Sequence, residues 1–143
     1  MICIEKCKLL DKRINDLIKV LGDFDLSRID EIVIRKGDKD LLLHIIGDLD
    51  ESSIEKLKQK KEITIYKNDE LIFGNQFIVS SVGNLKYLVN HRAFFQVNSK
   101  CCYKLYEEIK SEVSKSDRLL DLYCGIGSIG LYLSDICNKV VGV

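Results

Sequence analysis

The sequence predicts an α/β protein in two parts: an α+β domain over residues 1–92, then the start of a Rossmann-like sheet over 93–143. Three observations carry this. An apolar series at helical spacing is followed by β-branched and apolar runs of strand length. A glycine-rich segment, Cys124-Gly125-Ile126-Gly127, sits between two strand-like runs. Between them, near residues 90–98, the pattern changes without a low-complexity linker.

The elements follow in order. Leu10, Ile14, Leu17, Ile18 and Leu21 recur on one helical face and Gly22 follows as a C-terminal stop, so residues 8–21 are expected to be helical. Glu31 to Arg35, the turn Lys36-Gly37-Asp38-Lys39-Asp40 and Leu41 to Ile46 read as a β-hairpin. Ser52 with Glu55 makes a capping box opening a helix over 52–60. Glu62 to Tyr66, Phe77 to Ser81 and Leu85 to Asn90 are strand-like, separated by Gly74-Asn75 and Gly83-Asn84 turns. Cys102, Leu105, Tyr106, Ile109 and Val113 share the face of a helix that Asn98 or Ser99 can cap. Arg118 to Tyr123 is a buried-type strand, a helix runs on through Ile129, Leu133 and Ile136, and Asn138 to Val143 is a second strand.

Composition bounds the function. The chain has 143 residues with 22 Lys+Arg against 22 Asp+Glu, which argues against a nonspecific polyanion or membrane-surface binder but leaves local basic patches open. No apolar run is long enough to span a bilayer, and Met1-Ile2-Cys3-Ile4-Glu5-Lys6 lacks a secretory pattern, so the reading is cytoplasmic with no membrane partner. The cysteines at 3, 7, 101, 102, 124 and 137 form no C-x-x-C pair and are read as reduced thiols. Cys101, Cys102 and Cys137 read as packing residues, as does Cys124 despite its place at a helix start. His44 and His91 lack metal-ligand spacing, so no metal site is expected. The basic run Lys56, Lys58, Lys60 and Lys61 fits either RNA phosphates or a solvated helix face.

The chemistry is concentrated in Leu119-Leu120-Asp121-Leu122-Tyr123-Cys124-Gly125-Ile126-Gly127-Ser128-Ile129-Gly130. A strand ending in an acid, a tight glycine turn and a helix start let backbone approach a nucleotide-like ligand, because glycine has no Cβ to obstruct it. Gly125, Gly127 and Gly130 satisfy the letters G-x-G-x-x-G, so spacing alone permits a dinucleotide. On its own, Gln96 fits a turn or capping role, Tyr123 a half-buried strand-end aromatic, and Asp121 an acceptor for loop amides.

Asp121-Leu122-Tyr123-Cys124-Gly125 resembles motif I of class I S-adenosylmethionine-dependent methyltransferases. With Phe94-Phe95-Gln96-Val97-Asn98 upstream and Val140-Val141-Gly142-Val143 downstream, it resembles the RNA (uracil-5-)-methyltransferase family. The resemblance implies S-adenosylmethionine as cofactor and uracil C5 of ribosomal or transfer RNA as target. It further implies cofactor-binding roles for Gln96, Asp121, Tyr123, Gly125, Gly127 and Ser128, the last where some members carry Asn or Thr. Some members hold an iron–sulfur cluster whose last cysteine has a context like that of Cys7; the further thiolates it needs are absent here, which speaks against a cluster.

In that family a cysteine thiolate attacks uracil C6 and a base later removes the C5 proton. Those groups belong to D-P-P-R-like and S-C-N-P-like motifs that this sequence lacks, so no catalytic residue is assigned and the chain alone is expected to be inactive. The sequence stops at an apolar, strand-like run one step before the family's ribose-binding acid, which reads as a fragment whose sheet edge near Val140–Val143 would self-associate. Two rivals stay open: a noncatalytic RNA-binding or assembly module with a structural glycine turn, and a nicotinamide-dinucleotide domain.

Overall fold

The computed structural model describes residues 7–143, apart from the side chains of residues 116 and 117. Met1–Lys6, and Cys3 with them, lie outside the described residues. The chain forms two compact units, Met1–Val79 and Ser80–Val143. That division is made by packing, whereas the change of sequence pattern at 92/93 marks where the glycine-turn segment and its preceding helix begin. Among the described residues, no helix is long and apolar enough to cross a membrane.

In the first unit, α1 (Lys12–Leu21) and α2 (Glu51–Lys58) cover a four-stranded sheet of order β1-β2-β3-β4. Its strands are β1 (Ile29–Lys36), β2 (Leu41–Gly47), β3 (Ile63–Lys67) and β4 (Glu70–Phe73). β1 and β2 are the expected hairpin, and β2-α2-β3 is a crossover joining parallel strands. Alternation along β2 and β3 sends Leu41, Leu43, Ile45, Ile63 and Ile65 to the core that Ile14, Leu17 and Leu21 of α1 and Ile54 and Leu57 of α2 complete. On the other face of β3, Thr64 Oγ1 donates to Asn75 O at 3.0 Å and Tyr66 Oη to Gln76 O at 2.8 Å, so the chain after β4 is bonded across it.

Two helix starts differ from expectation for the same reason. The chain before α1 is a turn and the helix opens one residue after Asp11, whose carboxylate accepts from Arg13 N at 2.9 Å. The α2 cap is Asp50, not Ser52: Asp50 Oδ1 accepts from both Ser53 N and Ser52 Oγ. An aspartate beats a serine at this place because its charge also meets the positive helix end. Buried Asn15 closes the segment before α1, exchanging hydrogen bonds with the backbone of Cys7 at 2.9 and 3.0 Å. β4 was not expected. Asn68 and Asp69, both at positive φ, make a two-residue reversal without glycine, and Asn68 locks it by bonding Gly47 N at 2.9 Å.

In the second unit, β5 (Ile78–Val82), which begins at the end of the first, and β6 (Leu85–Val89) form a two-stranded sheet. Then come α3 (Ser99–Glu112), β7 (Ser116–Asp121), α4 (Ser128–Tyr132) and β8 (Cys137–Gly142). Asn98 caps α3 through Cys101 N at 3.1 Å. β7 and β8 are parallel, with Leu119 opposite Val140 and Asp121 opposite Gly142, the strand-turn-helix-strand unit expected of a Rossmann-like opening. α4 stops well before Ile136. Gly130 lowers its propensity, and Ser134 Oγ bonds Leu131 O at 2.7 Å, giving the backbone an alternative to another helical turn.

Asp11 provides a test of the α1 start. Its hydrogen bond from the Arg13 side chain, aided by the Arg13 amide, lowers its pKa from 3.8 to about 2. A folded-state pKa below the unfolded value means the contribution is complete above the unfolded pKa and is lost as pH falls through the folded one. Asp11→Ala is expected to cost about 1 kcal/mol at neutral pH. That gap should narrow as pH drops from 3.8 toward about 2. Urea unfolding at both ends of this range checks it; a gap independent of pH would assign the loss to something other than the carboxylate.

Candidate functional site

The site is built where β7 ends. Asp121 stands at the strand terminus and its Oδ2 accepts a hydrogen bond from Gly130 N, inside α4, at 2.9 Å. A Cβ on Gly130 would lie 2.9 Å from Val140 Cγ1 and 3.0 Å from Asp121 Oδ2. Only glycine allows α4 this close to both strands. Asp121 therefore acts here as an acceptor for an amide across the turn, one of the roles its sequence position suggested.

Between strand and helix the chain reverses through Tyr123, Gly125 and Gly127, with φ of 57°, 55° and 73°. The reversal is closed by Gly127 N bonding Cys124 O at 2.8 Å, while Cys124 N bonds Val143 O at 3.0 Å. Around Gly125 no heavy atom lies within 4 Å of an ideal Cβ, so its backbone faces open space; its positive φ, not crowding, is what asks for glycine. Cys124 is the opposite case. Its Sγ would be 2.8 Å from a Cβ at Gly142, which places it against the β8 backbone as a small packing residue.

Tyr123 is the outlier. A tyrosine in the left-handed region costs roughly 1–2 kcal/mol, and this one is 98% exposed, so the packing that would offset the strain is missing. The fold does not make the half-buried strand-end aromatic that was one of the two sequence readings of Tyr123. The strained, exposed aromatic thus stands beside an open glycine backbone.

Ser128 opens α4, and two tyrosines from elsewhere in the unit converge on it. Tyr106 Oη and Ser128 Oγ lie 2.8 Å apart, and Tyr87 Oη donates to Ser128 O at 3.0 Å. Both tyrosines are buried. Burial pushes the Tyr106 pKa up to about 12 and raises that of Tyr87, so both phenols keep their protons at any physiological pH. Tyr106 also meets Tyr132 edge-on, ring centroids 5.2 Å apart, and Lys110 pairs with Asp135, lowering the Asp135 pKa. These contacts fix α3 against α4. Tyr87 carries no sequence signal for the site, and the spacing of Tyr106 points only to a core-facing helix position.

Gln96 lies in the extended segment before α3 and is exposed. No described hydrogen bond carries it to the turn. What reaches the turn is its neighbour: the Phe95 ring packs on Tyr87 at 5.3 Å, and Tyr87 bonds Ser128. The structure thus joins Asp121, Tyr123, Gly125, Gly127 and Ser128 in one turn and ties the Gln96 segment to it through Tyr87.

No family model matches the chain. An uncharacterised RNA methyltransferase of Halalkalibacterium halodurans is 35% identical over 95 residues, covering 64% of this chain and 20% of the relative. Uncharacterised RNA methyltransferases of Clostridium tetani and Clostridium acetobutylicum are each 32% identical over 126 residues, covering 85% of this chain and 25% of theirs. Among solved structures, the Pyrococcus abyssi tRNA (uracil-54, C5)-methyltransferase in complex with S-adenosyl-L-homocysteine matches with a TM-score of 0.79 at 20% identity. The match covers 99% of this chain and 43% of that one. The chain thus spans a quarter or less of the length of these curated relatives. It has the mixed α/β fold of a solved methyltransferase, and over the aligned residues its sequence is similar to these RNA methyltransferases.

Proposed function

We propose that this chain is the part of an RNA methyltransferase that carries the first half of its S-adenosylmethionine site, in an enzyme that methylates uracil C5 of ribosomal or transfer RNA. The observation that carries the reading is Tyr123, strained and fully exposed beside the open backbone of Gly125. The motif resemblance supports it, as does a structural neighbour named for uracil C5 and solved with S-adenosyl-L-homocysteine.

The residues present fit such a cofactor. When bound, it supplies an electrophilic methyl group. Gly125 and Gly127 leave backbone room for it, and Tyr123 offers an apolar ring face already turned to solvent. Asp121 holds the turn to α4 through Gly130. Ser128, its hydroxyl and carbonyl both engaged by tyrosines, sets where the helix begins, and Gln96 lies at the rim of the same site in this reading. The thiolate and base of the uracil reaction are not among these residues.

Two outcomes test this directly. Tyr123→Gly should raise stability by about 1 kcal/mol by relieving the left-handed strain, yet weaken binding of S-adenosyl-L-homocysteine measured by calorimetry; unchanged binding would remove Tyr123 from the site. Second, the isolated chain should transfer no labelled methyl group from S-adenosylmethionine to uridine-containing RNA. Measurable transfer would show that the groups for the uracil chemistry are present after all.

Self-association through β8 belongs to the same proposal. Leu120, Val141 and Val143 are exposed on and beside the two-stranded β7–β8 sheet, apolar surface next to unpaired strand edges. Sedimentation velocity should show a concentration-dependent dimer that Val141→Lys weakens; a monomer at every concentration refutes it.

A further inference from the structure

The basic run after Ser53 is divided by the fold. Lys56 Nζ lies 5.9 Å from the Phe24 ring centroid, and Lys58 pairs with Glu55 at 2.7 Å. Lys60 and Lys61, beyond the end of α2, instead line a cleft of about 250 Å³ in the first unit, together with Arg13, Lys39, Asp16 and Glu62. Arg13 is paired with Asp11 at 3.1 Å, so Lys39, Lys60 and Lys61 face Asp16 and Glu62, a local positive surplus on a chain whose net charge is zero.

The segments that bring these cations together are tied to one another. The Arg13 guanidinium donates to Gly37 O at 3.1 Å and Asp38 O at 3.4 Å, holding α1 against the turn that carries Lys39. Leu41 N donates to Glu62 O at 2.9 Å, joining the start of β2 to the loop that carries Lys60 and Lys61. Lys60 N closes onto Leu57 O at 3.0 Å. The segments that carry the positive charges are thus held together before any ligand arrives, and the ordering cost left for binding is that of the lysine side chains.

The size and lining of the cleft narrow its ligand. It is smaller than the roughly 300–1,000 Å³ pockets that enclose whole small molecules. No aromatic side chain lines it, so it has no platform on which a base could stack. Lysines and an arginine around a shallow, non-aromatic seat suit the phosphates of an extended polyanion, whose bases stay outside. We propose that this cleft holds backbone phosphates of the RNA substrate, positioning the strand without reading its sequence. The proposal rests on the reading above for the identity of the polyanion; the cleft chemistry itself asks only for phosphate.

The test titrates the 143-residue chain into a fluorescent single-stranded oligouridylate at several salt concentrations and follows anisotropy. Removing Lys39, Lys60 and Lys61 together as Lys→Gln should weaken binding by roughly ten- to a hundredfold near 0.1 M salt and make the salt dependence shallower by about two units of log–log slope. A second variant, Lys56→Gln, Lys58→Gln and Lys104→Gln, removes the same charge elsewhere and should change both much less. Equal losses in the two variants, or no binding by the parent chain, overturn the proposal. Circular dichroism of each variant confirms folding, and Lys60→Arg with Lys61→Arg should restore binding. Calorimetry with S-adenosyl-L-homocysteine on the same preparations separates the two readings. Lysine-dependent RNA binding without cofactor binding leaves the cleft standing and the cofactor site refuted, and the converse refutes the cleft alone.

Discussion

A Cβ at position 130 would meet Val140 Cγ1 at 2.9 Å and Asp121 Oδ2 at 3.0 Å, so α4 lies on the β7–β8 pair only because that position is glycine. Once the helix is this close, the chain between Asp121 and Ser128 has too little distance to cover and must double back. The positive φ angles of Tyr123, Gly125 and Gly127 are the consequence. The same proximity brings Gly130 N to Asp121 Oδ2. Removing that acceptor would leave a partly buried amide unsatisfied, a loss on the order of 1–3 kcal/mol. An exposed, strained Tyr123 is thus the far end of a chain of requirements that starts inside the helix.

The start of the helix is held from a second direction. Tyr106 takes the Ser128 hydroxyl and Tyr87 its carbonyl, one from α3 and one from β6. Because both phenols are buried with raised pKa values, neither bond depends on pH in the ordinary range. Phe95 packs on the same Tyr87, which links the segment carrying Gln96 to the turn through two contacts. The two residues of the turn differ in this respect: the Tyr123 side chain is exposed, while the Ser128 hydroxyl and carbonyl are already engaged.

What was legible in the sequence follows from what is local. The β1–β2 hairpin, the Asn98 cap and the strand-turn-helix-strand order each depend on residues within a few positions of one another, and each was readable. Local competition could still mislead: Ser52 and Asp50 are both good caps, and only the structure shows Asp50 taking the Ser53 amide and the Ser52 hydroxyl as well. β4 was missed because its reversal uses Asn68-Asp69 instead of glycine, and its stabilising bond comes from Gly47, 21 residues away. The tyrosines on Ser128 were invisible for the same reason at larger separation, 41 and 22 residues.

Charge shows the same limit in another form. A net charge of zero is a sum, and a sum says nothing about placement. Within one run of six residues, Lys56 is held over a ring, Lys58 by Glu55, and Lys60 and Lys61 by neither. The proposed polyanion contact would depend on the last two together with Lys39, because electrostatic attraction screened over about 10 Å at 0.1 M salt depends on what is gathered within that range. Asp11 neutralises Arg13, while other acids are spent away from the cleft, at the Asp50 helix cap and in pairs such as Asp48 with Lys67 and Asp135 with Lys110. Carboxylates committed in this way stabilise the fold locally, and they leave the cations of the cleft in surplus although the chain as a whole is neutral.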